Sequence, residues 1–191
     1  MRALLSLLLF LSLAVPATAS SVQVCFTPGE DCTGAIVAEI ATAKRDVRVQ
    51  AYGFTSPDIV GVLAQARRRG VDVRVILDKG ALGQEREEAA AETLATAGVP
   101  VLVDGAHAIA HNKVMVIDGT TVLTGSFNFT AAAQNRNAEN LLILRDNALA
   151  SQYAANWTHH AGHSVPFTAD LATAPDDEPH PTRWRRRGRE R

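Results

Sequence analysis

Residues 47–77 read VRVQAYGFTSPDIVGVLAQARRRGVDVRVIL, and this stretch decides the fold because it predicts a strand, a helix and a second strand in succession. Residues 47–52 alternate apolar and polar side chains, as a half-buried strand does. Ser56 before a proline predicts a helix start, and Gly70 predicts the helix end. Residues 71–77 are rich in β-branched side chains, which favour a strand. Such a unit pairs its strands in parallel through a right-handed crossover.

The same periodicities continue on both sides of this unit. They predict helices at residues 35–44, 85–97 and 148–160, a short helix after Thr130, and strands at residues 99–103 and 141–144. Residues 113–117 and 121–124 predict a β-hairpin, because Asp118-Gly119 accepts the positive φ of a tight turn. We therefore expect an α/β fold with a mixed, largely parallel central sheet and helices on both of its faces.

The two ends of the chain differ in composition from the predicted fold. Residues 1–19 combine a basic start, an apolar run and an A-x-A site, which is typical of a secretory signal peptide. The apolar run is shorter than the roughly 18 residues of a spanning helix, so we expect an exported, periplasmic or secreted protein without a stable membrane anchor. A retained anchor is the alternative. Residues 167–191 are polar and end in an Arg-rich segment, which predicts a disordered tail after one domain at residues 20–166.

Charge and cysteine content limit how the protein could bind nucleic acid and what the two cysteines could do. The formal net charge of −1 excludes attraction to a polyanion by overall charge, so any nucleic-acid binding must use local clusters. Cys25 and Cys32 are the only cysteines, and export would place them in an oxidising compartment. We expect a disulfide between them, with two packed thiols as the alternative. Neither cysteine has the sequence neighbours of a zinc site.

One short stretch carries the candidate chemistry. His111, Lys113 and Asp118 form an H-x-K-x4-D pattern at the entry to the hairpin, and Ser126 and Asn128 follow its second strand in G-S-x-N. Residues two apart in a strand project to the same side, so the imidazole and the ammonium are expected to point together. The returning strand is expected to carry the serine and the asparagine back beside them. The pattern predicts a pocket without a carboxylate cluster that could hold a metal.

These residue types suit a phosphodiester. Its hydrolysis needs charge neutralisation at the non-bridging oxygens, an attacking group and a proton for the leaving alkoxide. Lys113 and Asn128 are candidates for the first task. His111 is the candidate for the second, if an acceptor holds its other ring nitrogen, and Glu139 is the best candidate for that acceptor. One copy of the pattern does not supply the third group.

The combination H-x-K-x4-D and G-S-x-N resembles the signature of the phospholipase D superfamily, and residues 22–157 look like its small exported bacterial nucleases. The resemblance implies a phospholipase D-like catalytic domain with His111 as a transiently phosphorylated nucleophile. It implies that Lys113 and Asn128 hold the phosphate, that Ser126 supports the site and that Asp118 is mainly structural. It also suggests that Glu139 orients His111.

Most members of that superfamily carry the motif twice, and the second histidine protonates the leaving group. This chain carries it once. Attack and protonation take place on opposite sides of phosphorus, so a twofold axis through the site would supply both groups from identical subunits. We therefore expect a homodimer that needs no metal and no cofactor.

Other histidines and the tail have alternative interpretations. His107 and His111 are four residues apart, but a third metal ligand is not evident, and His107 is also a candidate for the substrate groove. His159, His160 and His163 are expected to be solvated at a helix end, with adventitious metal binding as the alternative. The Arg-rich tail with Trp184 is a candidate for non-specific contact with nucleic acid or anionic lipid.

The expected function is a metal-independent, non-specific endonuclease that cleaves DNA, with RNA as a further candidate substrate. A phospholipase D or phosphatidyl transferase acting on lipid head groups is the first alternative, and the lack of an evident membrane-facing amphipathic helix weighs against it. A catalytically silent nucleic-acid-binding module is the second alternative.

Overall fold

The computed structural model describes residues 20–168, which fold around one eight-stranded sheet. The strands are β1 (Ser21–Thr27), β2 (Asp46–Ala51), β3 (Asp72–Asp78), β4 (Val101–Asp104), β5 (Lys113–Ile117), β6 (Thr121–Gly125), β7 (Glu139–Arg145) and β8 (Val165–Pro166). The helices are α1 (Cys32–Thr42), α2 (Pro57–Arg68), α3 (Lys79–Leu82), α4 (Glu85–Thr96), α5 (Ala131–Asn135) and α6 (Asn147–Ala161). Every element expected from the sequence is present, and β1, α3 and β8 are additional.

The sheet is mixed, as expected, and its strands lie in the order β1-β7-β6-β5-β2-β3-β4-β8. Its parallel part is smaller than the sequence predicted. β2, β3 and β4 pair in parallel, whereas the five other neighbouring pairs among the described strands are antiparallel. The turn at residues 118–120 is too short for a crossover, so β5 and β6 must be antiparallel. β7 and β1 then continue the alternation.

Helices cover both faces of the sheet, which confirms that part of the expectation. On one face, Ile40 of α1, Leu63 of α2 and Leu94 of α4 are buried in the core cluster that includes Val75 of β3. On the other face α6 packs over Val114, Val116 and Val122. The alternating apolar side chains of the central strands therefore have helical partners on either side.

The predicted disulfide joins Cys25 and Cys32, whose Cα atoms are 5.7 Å apart. Cys25 lies in β1 and Cys32 opens α1, and both side chains are buried. Among the described strands, β1 is terminal and pairs with β7 alone. The bond therefore fastens an edge strand to the helix that follows it.

Two expectations concern parts of the chain outside the described residues, namely the signal peptide at residues 1–19 and nearly all of the tail. The sequence predicts that the tail begins at Phe167, but this residue belongs to the folded domain. Its backbone N–H donates to the carbonyl of Val101 at 2.9 Å, and its side chain packs against the core. Within residues 20–168, no helix combines the length and the apolar character needed to cross a membrane.

Candidate active site

The candidate site lies at one edge of the sheet, which we call the polar edge. β2, β3, β4 and β6 end there, and the oppositely directed β5 and β7 begin there. Lys113 opens β5 opposite Ala51, the last residue of β2, and Glu139 opens β7. Because β5, β6 and β7 alternate in direction, His111, Lys113, Ser126 and Glu139 all lie at this edge although they are separated in the sequence.

Lys113 forms the floor of this site. The residue is only 7% exposed, and its Nζ donates to the backbone carbonyl of His111 at 3.0 Å. The same Nζ lies 5.3 Å from the centre of the Tyr52 ring, at cation–π distance. Burial lowers the pKa of Lys113, and the negative charge of Glu139 acts in the opposite direction. A partly desolvated ammonium in this position is ready to attract an anion.

His111 is an exposed side chain on a fixed backbone. Its ring centre is 4.7 Å from that of Tyr52. The preceding residue, Ala110, donates its N–H to the buried carboxylate of Asp78 at 2.7 Å, and the carbonyl of Asn112 accepts from the Tyr52 N–H at 2.9 Å. The neighbouring backbone is thus held to β2 and β3 while the imidazole faces solvent.

Glu139 contacts different partners from the one expected. Its Oε2 accepts from the Ser126 hydroxyl at 2.6 Å, and its Oε1 accepts from the Asn137 amide at 2.9 Å. Ser126 Oγ in turn accepts from the Asn140 N–H at 3.0 Å. Within residues 20–168, the expected hydrogen bond from His111 to Glu139 is not made, and the donors to Glu139 are Ser126 and Asn137. Within residues 20–168, the His111 ring has no hydrogen-bond acceptor.

The G-S-x-N segment is held by close packing. A Cβ at Gly125, which has φ +149°, would lie 2.2 Å from the Asn140 carbonyl oxygen, so the turn requires glycine. A Cβ at Gly53 would lie 3.2 Å from the amide carbon of Asn128. Asn128 Oδ1 is buried and has no hydrogen-bond partner among the described residues. The structure thus places the asparagine beside Gly53, just after the end of β2.

Asp118 does not belong to this group of residues. It follows the last residue of β5, so it is roughly 17 Å from Lys113 at about 3.4 Å per residue. Its carboxylate accepts the backbone N–H groups of Lys44, Arg45 and Asp46. Burial acts to raise the pKa of Asp118, but these hydrogen bonds outweigh it and lower the pKa. The sequence grouped Asp118 with the candidate catalytic residues, but Asp118 lies away from them. Its contacts are those of a residue that stabilises the fold.

Asp118→Ala is expected to lower the free energy of unfolding by about 2 kcal/mol, because three backbone donors lose a charged acceptor. Turnover by the folded fraction should be largely unchanged. Urea denaturation, with Thr120→Ala from the same turn as the control, measures the first effect. A large loss of turnover at full folding would show that Asp118 acts in the reaction.

The sequence did not indicate Tyr52 and Asp78 as site residues. Each lies at or just beyond the carboxyl end of a predicted parallel strand, and that position is the signal that could have identified them. Tyr52 contacts both His111 and Lys113. Asp78 is 3% exposed and holds the segment just before His111.

Three of the other described histidines form a second cluster at the polar edge. His107, His160 and His163 all approach the carboxylate of Asp104, so only His159 of the expected solvated helix end is exposed there. Burial acts to raise the pKa of Asp104, but hydrogen bonds from His160, the Ala106 N–H and the other histidines lower it to about 2. The sequence left open that His107 and His111 lie on one helix as two metal ligands. Residues 105–112 form no helix, so this arrangement does not occur.

Comparison with known proteins places this site in a family. Residues 36–160 match the family model described as cardiolipin synthase, PLD-like domain. A protein named phospholipase D from Rickettsia felis is 45% identical over 138 residues, which are 72% of this chain and 68% of that protein. A mitochondrial cardiolipin hydrolase from Xenopus laevis is 35% identical over 118 residues, which are 62% of this chain and 55% of that protein.

Solved structures agree with the sequence matches. Nuc, a phospholipase D family member from Salmonella typhimurium, superposes with a TM-score of 0.76 at 35% identity, covering 78% of this chain and 99% of that one. NucT from Helicobacter pylori shares the fold with a TM-score of 0.72 at 21% identity, covering 78% and 100% of the two chains. The family match includes every candidate residue from His111 to Glu139. The chain belongs to the phospholipase D superfamily and is a phosphodiesterase of that superfamily.

Proposed function

We propose that the protein is an endonuclease that hydrolyses phosphodiesters of DNA, with RNA as a further substrate, through a covalent phosphohistidine at His111. The observation that carries the proposal is that the exposed imidazole of His111 and the buried ammonium of Lys113 both contact the ring of Tyr52. A nucleophile beside a desolvated cation suits attack on an anionic phosphorus centre, because the cation stabilises the charge that builds up on the oxygens.

The reaction has two steps. A bare ring nitrogen of His111 bonds to phosphorus as the P–O bond to the leaving group breaks, and a protonated second imidazole gives its proton to the departing oxygen. Water then attacks phosphorus and gives a proton back to the second imidazole, and the P–N bond breaks. Lys113 and Asn128 hold the non-bridging oxygens, and Ser126, which is bound to Glu139, supports the turn that carries Asn128.

The second imidazole is proposed to come from a second copy of the chain. The described residues of one chain bring only His111 to this point, since His107, His160 and His163 are engaged with Asp104. A twofold axis beside His111 would place two identical imidazoles on opposite sides of one phosphate. The second copy is also proposed as a source of a hydrogen-bond acceptor for the His111 ring, which has none within residues 20–168.

A lipid phosphodiester is the second candidate substrate. It is supported by relatives whose names are phospholipase D and mitochondrial cardiolipin hydrolase. Against it, the loop of residues 105–112 that carries His111 exposes one large apolar side chain, Ile109. A single exposed side chain gives little apolar area for insertion into a bilayer. The resemblance to exported single-motif bacterial nucleases favours nucleic acid.

The test compares both substrates under one condition. Purified protein is incubated with supercoiled plasmid and, separately, with vesicles of phosphatidylcholine and cardiolipin, in excess chelator, beside the His111→Ala variant. Plasmid nicking that persists in chelator and is lost in the variant is the expected result. Lipid turnover without nicking would show that the same reaction acts on a lipid phosphodiester instead of DNA. Inactivity on both substrates would contradict the proposal.

A further inference from the structure

Two separated segments, residues 104–107 and 160–163, bring four metal-ligand side chains together beside the active site. Asp104 ends β4 with no exposed surface, His107 follows it in the loop, His160 lies near the end of α6, and His163 lies in the next turn. One ligand atom from each residue lies within 4.8 Å of each of the others. The three imidazole centres are 5.0–5.3 Å apart.

The distances allow a hydrogen-bonded cluster to be compared with a metal site. His160 Nδ1 lies 2.7 Å from Asp104 Oδ2, which is an ordinary hydrogen bond. His107 Nδ1 and His163 Nε2 each lie 3.3 Å from a carboxylate oxygen, which is long for a charged hydrogen bond at about 2.7–2.9 Å. Zinc–nitrogen bonds of about 2.0–2.1 Å put two ligand atoms of a tetrahedron about 3.3 Å apart. The two longer contacts, one to each oxygen of Asp104, are therefore close to the separation of two ligand atoms around one zinc ion.

We propose that Asp104, His107, His160 and His163 bind one Zn²⁺ ion at a structural site. Three imidazoles and one carboxylate are ligands that zinc accepts, whereas magnesium and calcium prefer oxygen atoms throughout. Four protein ligands complete a tetrahedron and leave no open position for water or substrate. The ion thus has no place in the cleavage chemistry assigned to His111.

The position of the ligands defines what the ion would stabilise. His160 and His163 lie at the end of α6 and before β8, which is the last strand at its end of the sheet. His107 lies in the loop that leads to His111. Zinc would fasten the carboxyl-terminal turn of α6 to β4 and fix one end of this loop. Asp78 already fixes the other end through Ala110.

The test uses the whole protein without a polyhistidine tag. After removal of metal, the protein is titrated with Zn²⁺, and bound metal is counted by mass spectrometry after gel filtration. We expect about one ion per chain, and binding more than about 100-fold weaker for His163→Ala, because losing a ligand exceeds the 10- to 100-fold effect of losing a supporting group. His159→Ala is the matched control, since His159 is an exposed neighbour outside the ligand set. It should bind zinc as the unmodified protein does.

Stability supplies a second measurement. Zinc should raise the Tm of the unmodified protein and of His159→Ala by mass action, and should leave the Tm of His163→Ala unchanged. Asp104→Asn, which keeps the shape of the buried side chain, should also lose the zinc effect. Substoichiometric zinc in the unmodified protein, or equal losses in His159→Ala and His163→Ala, would overturn the proposal.

The zinc site and the proposed catalysis can be tested independently of each other. His111→Ala should bind zinc normally while lacking activity, because His111 is outside the ligand set. His163→Ala should still nick plasmid in chelator at 25 °C. Loss of nicking in folded His163→Ala that returns with added zinc would contradict a purely structural ion.

Discussion

His111→Ala is expected to reduce phosphodiester cleavage by a factor of about 10,000 or more, because it removes the nucleophile and, in a symmetric site, the proton donor as well. Positioned acid–base groups alone contribute about 100- to 10,000-fold. The imidazole is exposed, and its ring makes no hydrogen bond within residues 20–168, so its loss should change the Tm little. A loss of activity with an unchanged Tm separates chemistry from folding.

The measurement is steady-state cleavage of a short labelled oligonucleotide, together with mass spectrometry of enzyme quenched in acid-free buffer during turnover. On the peptide that contains His111, the unmodified protein should carry the retained fragment of the oligonucleotide, joined to the imidazole through its phosphate. His159→Ala is a control for removal of an exposed histidine elsewhere. Cleavage by His111→Ala at more than a small fraction of the normal rate would exclude the covalent mechanism.

Lys113→Met is expected to lower kcat by about 100- to 1,000-fold, the range found when one preorganised donor is removed from an oxyanion site. Nζ sits in the floor of the site between His111 and Tyr52, where low water access strengthens its attraction for the transferring phosphate. Methionine keeps the length and apolar stem of lysine and removes a buried charge. Unfolding stability should therefore be unchanged or higher.

Lys44→Met is the matched control for Lys113→Met. Lys44 is an exposed lysine beside Asp118, away from the polar edge, so its loss should leave kcat unchanged. Kinetics and urea denaturation are measured on both variants. If Lys113→Met retains full turnover, or if its loss of activity follows a loss of folded protein, the role of Lys113 in charge stabilisation is contradicted.

Local patterns in the sequence predicted most of the fold. The strand–helix–strand unit at residues 47–77 and the hairpin at residues 113–124 depend on contacts within short segments, and both are present. β1 is different, because it is held by pairing with β7 more than 100 residues away. β8 has two residues, too few for a periodic pattern. The antiparallel half of the sheet depends on such long-range pairing, so its extent was underestimated.

The candidate site was partly predictable, because several of its residues lie close together in the sequence. His111, Lys113, Ser126 and Asn128 lie on one hairpin and its flanks, so their spacing predicted that they would lie together. Glu139 is on the next strand, and which hydrogen-bond donors it meets depends on the packing of the turn at Ser126. Sequence spacing could not choose between the histidine and the serine.

The cluster around Asp104 was not predictable from spacing. His160 and His163 are 56 and 59 residues from Asp104 along the chain. They meet it because α6 crosses the sheet and ends at the polar edge, which is a consequence of helix packing. Taken alone, the histidines at the end of a helix resemble a solvated terminus.

The central claim is that two copies of His111 share one phosphate, and mixed subunits test it most directly. Unmodified and His111→Ala chains are denatured together in equal amounts, refolded so that they pair at random, and assayed for plasmid cleavage after light scattering has established twice the chain mass. A shared site requires two unmodified subunits, so activity should be about one quarter of that of the unmodified protein. Retention of about one half, or an active monomer, would show that each chain works alone and would contradict the account.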